Sequence, residues 1–239
     1  MKDDILKRWQ IVWERKGKEK TKEEFTLQDL IEMNGFDKGA SKITKKIWLK
    51  AVEIVKDKLD FKRGDILLEI GCGSGAMIFP LARMGIKIVG IDYSFPLIKI
   101  AFKVVPKIDA LVSEAKFLPF KNRSFDKILS HSVFQYFPNL IYAEKVLLEI
   151  FRVAKCNAKI LIMDIPDVFK KKESEKYRRG KLSREEYEKL YSCYPHLYYD
   201  KGWFENIAKN LGYKFEIFDQ NIPQYGNAPF RFNILLWRM

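Results

Sequence analysis

Residues 67–77 read LLEIGCGSGAM, and this stretch decides how the rest of the chain is interpreted. An apolar run leads into three glycines on alternate residues, Gly71, Gly73 and Gly75. Glycine lets a backbone turn tightly and lets a ligand approach closer than a side chain would permit. The run before the glycines is almost entirely apolar, which is typical of a strand buried on both faces. The stretch therefore predicts a strand followed by a ligand-contacting loop.

Similar apolar runs recur along the chain and alternate with segments of helical periodicity. They predict seven strands, at residues 66–70, 86–91, 108–113, 125–130, 158–164, 213–219 and 230–237. Nearly continuous apolar strands alternating with helices predict an α/β fold, with a mostly parallel sheet covered by helices on both faces. Because no helical segment separates the last two strands, we expect the last strand to be antiparallel.

Helix boundaries follow from caps and periodicity. Residues 42–59 carry apolar side chains at helical spacing, and Ser41 is the expected N-cap. Residues 75–85, GAMIFPLARMG, are expected to be helical up to Gly85. We divide the chain into an N-terminal helical lid or cap (1–63) and a ligand-binding domain (64–239). The Lys- and Glu-rich residues 166–199 form an insertion in that second domain.

Composition limits the function classes. The chain has 239 residues, of which 47% are hydrophobic, so it can bury a sizeable core. Its net charge is +13, with 44 Lys and Arg against 31 Asp and Glu, spread along the whole chain. Three cysteines without metal-ligand spacing predict neither a disulfide framework nor a zinc site. We found no apolar stretch long enough for a bilayer span and no signal peptide, and so expect a cytoplasmic protein without membrane contact.

The glycine loop alone is compatible with more than one adenosine-containing ligand. A P-loop requires Lys followed by Ser or Thr after its last glycine, whereas Ala76 and Met77 follow Gly75 here. The dinucleotide fingerprint G-x-G-x-x-G/A is formally met by Gly71, Gly73 and Ala76. Asp92, about twenty residues further on, would then bind a ribose. NAD therefore remains a candidate on the loop alone.

Three segments together resemble the class I S-adenosylmethionine-dependent methyltransferases, in their small-molecule, type 11-like branch. These are E-x-G-x-G-x-G beginning at Glu69, GIDYS at 90–94 and SEAKFLPFKNRSFDKILS at 113–130. The resemblance implies a Rossmann-like fold and S-adenosylmethionine as the cofactor. It places Asp92 at the adenosyl ribose, Glu114 and Ala115 at the adenine, and Ser130 near the methionine end. Glu114 departs from the aspartate usual in that family.

The complete set of expected cofactor-binding residues follows from these motifs. It comprises Glu69, Gly71, Cys72, Gly73, Ser74, Gly75, Asp92, Tyr93, Ser94, Glu114, Ala115 and Ser130.

The expected reaction is in-line displacement of a methyl group onto an O or N nucleophile of a small molecule. No D/N-P-P-Y/F tetrapeptide follows the fourth strand, where the sequence reads SHSVFQYF. That tetrapeptide marks the enzymes that methylate amide or nucleobase nitrogens. His131 and His196 are the candidate general bases, because histidine titrates near neutrality. The candidate acceptor-binding residues are Gln135, Tyr136, Asp164, Tyr198, Tyr199 and Arg231.

Other functions stay open at this point. The basic charge favours RNA or protein as an alternative methyl acceptor. A cofactor-binding regulatory subunit without turnover and an NAD-dependent dehydrogenase are further alternatives. The acidic cluster of a metal-dependent methyltransferase is absent from the sequence, so we expect no metal.

Overall fold

The computed structural model describes residues 3–19, 22–188 and 194–238, which are built around a seven-stranded sheet. The sheet order is β3-β2-β1-β4-β5-β7-β6. The strands are β1 (Ile66–Ile70), β2 (Lys87–Asp92), β3 (Asp109–Val112), β4 (Phe125–His131), β5 (Ala154–Pro166), β6 (Lys214–Asp219) and β7 (Arg231–Trp237). β1 to β5 pair in parallel, and β7 runs antiparallel to both β5 and β6. The predicted α/β fold with an antiparallel last strand is confirmed.

Eight helices of the described chain surround the sheet. They are α1 (Asp3–Lys18), α2 (Leu27–Met33), α3 (Lys45–Leu59), α4 (Phe95–Val104), α5 (Leu140–Val153), α6 (Lys171–Arg179), α7 (Arg184–Tyr187) and α8 (Lys201–Asn210). Side chains alternate between the two faces of each strand, so every strand feeds two apolar layers. In β1, Leu67 packs in the layer with α2, α3 and α4, whereas Leu68 and Ile70 pack in the layer with α5 and α8.

The order of the strands positions the functional site. The chain passes from β1 outward to β2 and β3, then crosses back to place β4 on the other side of β1. Helices therefore diverge on either side of β1, and a crevice opens outside the carboxyl ends of β1 and β4. Ligands of open α/β sheets bind at this point of reversal.

The predicted helix directly after the glycine loop is wrong. Residues 75–85 form turns with one short 3₁₀ helix, Phe79–Leu81. In an α-helix the Ala76 carbonyl would accept a hydrogen bond from the amide of residue 80, but Pro80 has no N–H. The indole N–H of Trp48 donates to the Ala76 carbonyl instead, at 2.9 Å. A helix dipole therefore does not contribute to ligand binding at this loop.

The N-terminal helices differ in detail from expectation. α3 begins at Lys45 and its N-cap is Thr44, whose side chain accepts from the Ile47 amide, so the predicted cap at Ser41 is wrong. Ser41 instead ends a 3₁₀ turn, and the chain between them is extended to bury Ile43. Side chains of α2 and α3 enter the same apolar layer as those of α4. The division of the chain at residue 63 stays a prediction.

The insertion between β5 and α8 is partly helical. It contains α6 and α7, and Asp200 caps α8 by accepting from the Gly202 amide. Among the described residues, no helix combines the length and the apolar character that crossing a bilayer requires.

Candidate functional site

A pocket that spans about 820 Å³, including solvent-open space at its mouth, lies in the crevice at the carboxyl ends of the strands. Its floor consists of residues at or just after the ends of four neighbouring strands: Glu69 and Gly71 (β1), Asp92 and Tyr93 (β2), Glu114 and Ala115 (β3), and His131 and Ser132 (β4). Side chains from α1, α3 and the segment after α2 complete the wall. The fold therefore gathers residues that are widely separated in sequence into one pocket.

The backbone amides of the glycine loop are already hydrogen-bonded within the protein. The amides of Gly71 and Cys72 both donate to the Ile91 carbonyl, at 2.8 and 2.9 Å, and the Gly75 amide donates to the Cys72 carbonyl at 2.9 Å. The Gly73 amide donates to Asp92 Oδ2 at 3.0 Å, and the Ser74 amide donates to Asn34 Oδ1 at 2.9 Å. A phosphate-binding loop needs amide donors aimed at its ligand. These five amides offer a phosphate no such donors.

Two buried carboxylates line the same part of the cavity. Glu69 is 2% exposed, and its Oε2 has no hydrogen-bond partner among the described residues. Burial and the neighbouring Asp92 raise its pKa well above the usual value. Burial raises the pKa of Asp92 to about 6, although the amides of Ser94 and Gly73 favour its charged form. The site thus presents hydrogen-bond acceptors that a cationic or hydroxyl-rich ligand would satisfy.

At the β3 end of the cavity, Glu114 is held by neighbouring side chains. Tyr142 Oη donates to Glu114 Oε1 at 2.8 Å, and Lys116 Nζ lies 3.1 Å from the same oxygen. The longer side chain, compared with the aspartate of the family pattern, reaches these partners. Ala115 lines the cavity beside it.

Five of the predicted cofactor-binding residues do not line the cavity: Cys72, Ser74, Gly75, Ser94 and Ser130. Cys72 lies in the core against Gly90, and burial raises its pKa well above the usual value, so the thiol is inert at neutral pH. The Ser74 hydroxyl donates to the Leu30 carbonyl and ties the loop to α2. Their expected contacts with a cofactor stay predictions.

The two histidines occupy different environments. His131 lines the cavity, with Nε2 3.4 Å from the Tyr225 hydroxyl, and burial lowers its pKa to about 4. His196 lies outside the cavity lining, and its Nδ1 accepts from Arg178 Nη1 at 2.8 Å. Burial and Arg178 lower the pKa of His196 well below the usual value. Both imidazoles are therefore neutral at pH 7, and a base with a pKa near 4 is a weak proton acceptor.

His131 predicts a pH dependence of stability. The unfolded chain takes up a proton on this residue near pH 6.5, whereas the folded protein takes it up only near pH 4. The contribution of His131 to the free energy of unfolding is thus complete above pH 6.5 and is lost as the pH falls toward 4. The total loss is roughly 3 kcal/mol. Between pH 7.5 and pH 5, we expect the free energy of unfolding to fall by about 2 kcal/mol less in His131→Gln than in the unsubstituted protein. Urea unfolding at the two pH values measures it. Parallel losses in the two proteins would contradict this prediction.

Among the predicted acceptor-binding residues, Tyr136 lines the cavity and the others lie behind it or away from it. The Gln135 amide donates to the Ser132 hydroxyl at 2.7 Å. Asp164 and Arg231 form a buried ion pair, with Oδ1 3.9 Å from Nε.

The remaining two tyrosines are held by protein groups outside the cavity lining. Tyr199 is fully buried and donates to the Phe134 carbonyl, and the Tyr198 hydroxyl accepts from Arg178. The roles expected for all six acceptor-binding residues stay predictions.

Several cavity residues were not singled out from the sequence. Trp13 and Trp48 come from α1 and α3, where an apolar residue indicates only helix packing, and Phe36 comes from the segment after α2. Asn34 falls in the Gly-containing break NGFDKGAS, which signalled a loop but not its contact with Ser74. Ser132 carried no sequence signal, because its role depends on a left-handed backbone, φ +58°. In the described part of the chain, no three His, Cys, Asp or Glu side chains gather as a metal site would require.

Comparison with known proteins assigns the family. Residues 68–162 match the family model described as a methyltransferase domain. The chain is 31% identical over 111 residues to a demethylmenaquinone methyltransferase of Paenarthrobacter aurescens, which covers 46% of this chain and 43% of the relative. It is 32% identical over 161 residues to an uncharacterised protein of Methanocaldococcus jannaschii, covering 64% of this chain and 73% of the relative. The chain spans less than half the length of the first curated relatives that it matches.

Solved structures support the fold. A phosphoethanolamine N-methyltransferase of Haemonchus contortus, in complex with phosphoethanolamine and S-adenosylhomocysteine, superposes with a TM-score of 0.70 at 12% identity, covering 99% of this chain and 49% of that chain. Identity at this level relates the folds and nothing finer. Together with the matched methyltransferase domain, the strand order and the acidic residues at the strand ends, these findings show that the chain belongs to the class I S-adenosylmethionine-dependent methyltransferases.

Proposed function

We propose that this protein transfers a methyl group from S-adenosylmethionine to an O or N nucleophile of a small molecule. One observation carries the proposal. The glycine loop keeps its own amides hydrogen-bonded, while the carboxylates of Glu69 and Asp92 face the cavity as acceptors. A dinucleotide would require amide donors for its pyrophosphate. S-adenosylmethionine instead offers two ribose hydroxyls and an ammonium group, which are donors.

Each carboxylate would bind a different part of the cofactor. Asp92 Oδ1 and Oδ2 each accept one backbone amide and keep a further lone pair for a ribose hydroxyl. Glu69 Oε2 would pair with the ammonium group, which removes the cost of leaving a buried carboxylate oxygen unpartnered. Glu114 and Ala115 lie at the β3 end, where the adenine would reach.

The chain's own residues would act mainly by positioning. The cofactor supplies a methyl group on a positively charged sulfur, which is already a good electrophile. Trp48 and Phe36 pack edge to face at 5.0 Å and form a wall beside His131. Such a wall excludes water and holds the nucleophile in line, and orientation of this kind can supply much of a rate enhancement. The neutral His131 ring would line the position of the incoming nucleophile.

Two further findings favour a small acceptor. The cavity is partly enclosed under α1, whose Leu6 and Trp13 line it. The demethylmenaquinone methyltransferase that the chain resembles is named for a small-molecule acceptor. An RNA acceptor would need cations beside the reacting position, and none of the described residues that line this cavity is Lys or Arg.

Transfer of a labelled methyl group tests the proposal. The purified protein would be incubated with methyl-labelled S-adenosylmethionine and three separate fractions of a cell extract: small molecules, RNA and protein. We expect label in the small-molecule fraction with matching formation of S-adenosylhomocysteine. Label in RNA or protein would refute the small-molecule assignment. Cofactor binding by calorimetry without turnover in any fraction would favour a regulatory subunit.

A further inference from the structure

The cavity has a second half, beyond the carboxylates, that is built almost entirely from aromatic side chains. We call it the acceptor half and define it by Trp13, Phe36, Trp48, His131, Ser132 and Tyr136. Its members contact one another: the Trp48 and His131 rings lie 5.1 Å apart, and the Trp13 and Tyr136 rings 5.2 Å apart. These flat walls favour a flat apolar group between them.

Positive charge is absent from this half. Among the described residues that line the cavity, none carries an ammonium or guanidinium group, although the chain as a whole has 44 Lys and Arg. Burial keeps the His131 ring neutral at pH 7, since its pKa is about 4. A phosphate or carboxylate placed here would lose its water without gaining a charged partner, which is strongly unfavourable.

A positively charged acceptor fits no better. The carboxylates that line the cavity, Glu69, Asp92 and Glu114, lie at the ends of β1 to β3. The carboxylate next to the acceptor half, Asp164, already forms an ion pair with Arg231. The sulfonium of the cofactor would repel a cation at the reacting position. An uncharged acceptor avoids both costs.

The Ser132 hydroxyl is oriented by a network of hydrogen bonds. It adopts a left-handed backbone with φ +58°, and Asp164, which it contacts, has φ +62°. The Ser132 hydroxyl donates to Asp164 Oδ2 at 2.6 Å and accepts from Gln135 Nε2 at 2.7 Å. Asp164 is itself paired with the buried Arg231. A serine hydroxyl has two lone pairs, so Ser132 Oγ keeps one with which to accept a hydrogen bond from a ligand.

Strained backbone at two contacting residues persists only where the surroundings enforce it, and such strain clusters at functional sites. We infer that the methyl acceptor is an uncharged, flat, largely apolar molecule whose nucleophilic O–H or N–H group donates a hydrogen bond to Ser132. Ser132 is then a specificity-determining residue. This inference rests on the proposed function, because it assumes that the cofactor fills the carboxylate end of the cavity.

Calorimetry with three matched probes tests it. 2-Naphthol, 2-methoxynaphthalene and 2-naphthyl phosphate share one ring system, but only naphthol offers an uncharged donor. Each would be titrated at pH 7 into the full chain saturated with S-adenosylhomocysteine. We expect naphthol to bind about tenfold more tightly than the methoxy compound, as one net hydrogen bond implies. We expect the phosphate to bind about a hundredfold more weakly than naphthol or not at all.

Ser132→Gly is the informative variant, because glycine removes the hydroxyl and tolerates a left-handed backbone. We expect it to bind naphthol and the methoxy compound equally while binding S-adenosylhomocysteine unchanged. Ser124→Gly, which removes a hydroxyl that donates to the Lys121 carbonyl far from the cavity, is the matched control.

The outcomes separate the two proposals. If S-adenosylhomocysteine does not bind, the proposed function fails. If it binds but the phosphate binds as tightly as naphthol, or a cationic naphthyl trimethylammonium probe binds more tightly, the inference about the acceptor is overturned. It is equally overturned if none of the probes binds the complex, or if Ser132→Gly keeps the preference for naphthol.

Discussion

Asp92→Ala is expected to weaken binding of S-adenosylmethionine by about a hundredfold or more. The Asp92 carboxylate accepts the Gly73 amide at 3.0 Å and the Ser94 amide at 2.8 Å, and it faces the cavity. The substitution therefore removes both the proposed ribose acceptor and the support of the loop. Hydrogen bonds to a charged group contribute roughly 1.5–3 kcal/mol each, so losing two ribose contacts predicts at least this change. Isothermal calorimetry with S-adenosylmethionine and S-adenosylhomocysteine measures it.

Two other variants separate ligand contact from loop support. Asp92→Asn keeps one acceptor oxygen and is expected to bind the cofactor with intermediate affinity. Asp109→Ala removes an exposed carboxylate at the start of β3 and is expected to bind normally. The melting temperature of each variant without ligand reports how much stability is lost with the loop's hydrogen bonds to Asp92. Unchanged affinity in a folded Asp92→Ala protein would show that Asp92 does not contact the ligand.

Gly71→Ala is expected to cause a large loss of stability. Gly71 has φ +73°, and an added Cβ would collide with Val133 Cγ2. The left-handed backbone costs an alanine about 1–2 kcal/mol, and overpacking adds about 1–3 kcal/mol. Because a chain of this length loses about 2–4 °C of melting temperature per kcal/mol, we expect a drop of roughly 4–20 °C. Scanning calorimetry measures the change.

Gly212 provides a matched control for the cost of placing alanine at a left-handed backbone position. Gly212 has φ +71°, but nothing lies within 4 Å of an added Cβ. Gly212→Ala should therefore show the backbone cost alone. Combining Gly71→Ala with Val133→Ala should recover part of the loss, because the second change removes the colliding methyl group. Equal effects of Gly71→Ala and Gly212→Ala would mean that the contact with Val133 is relieved without cost.

The sequence alone predicted the fold to the level of strand count and pairing sense. Strands buried on both faces are continuous apolar runs, so β1, β2 and β4 were recognisable without neighbours. The predicted helix at 75–85 failed for a local reason that was present in the sequence. Pro80 has no N–H with which to donate to the Ala76 carbonyl, so the chain cannot continue there as an α-helix.

The acidic residues of the site could also be predicted from the sequence. Glu69 and Asp92 lie at the ends of β1 and β2, Glu114 follows β3, and parallel strands bring their carboxyl ends to one edge. Spacing along the chain therefore sufficed to place them together. Only the tertiary structure showed that the amides of residues 71–75 are hydrogen-bonded within the protein. Their distant acceptors are Ile91 and Asp92 on β2 and Asn34 just after α2.

The acceptor half was decided by tertiary structure alone. Trp13 and Trp48 are core residues by their spacing, and nothing in the sequence distinguishes an aromatic residue that packs on a cavity, as Phe36 also does, from one that packs in a core. Ser132 depends on a backbone angle and on Asp164, thirty-two residues away. Periodicity reports which face of an element is buried, whereas the shape and charge of a pocket arise from distant elements meeting. The sequence thus determined the family and its acidic ligand-binding edge, and the packing of the N-terminal helices against β4 decided what else that edge can bind.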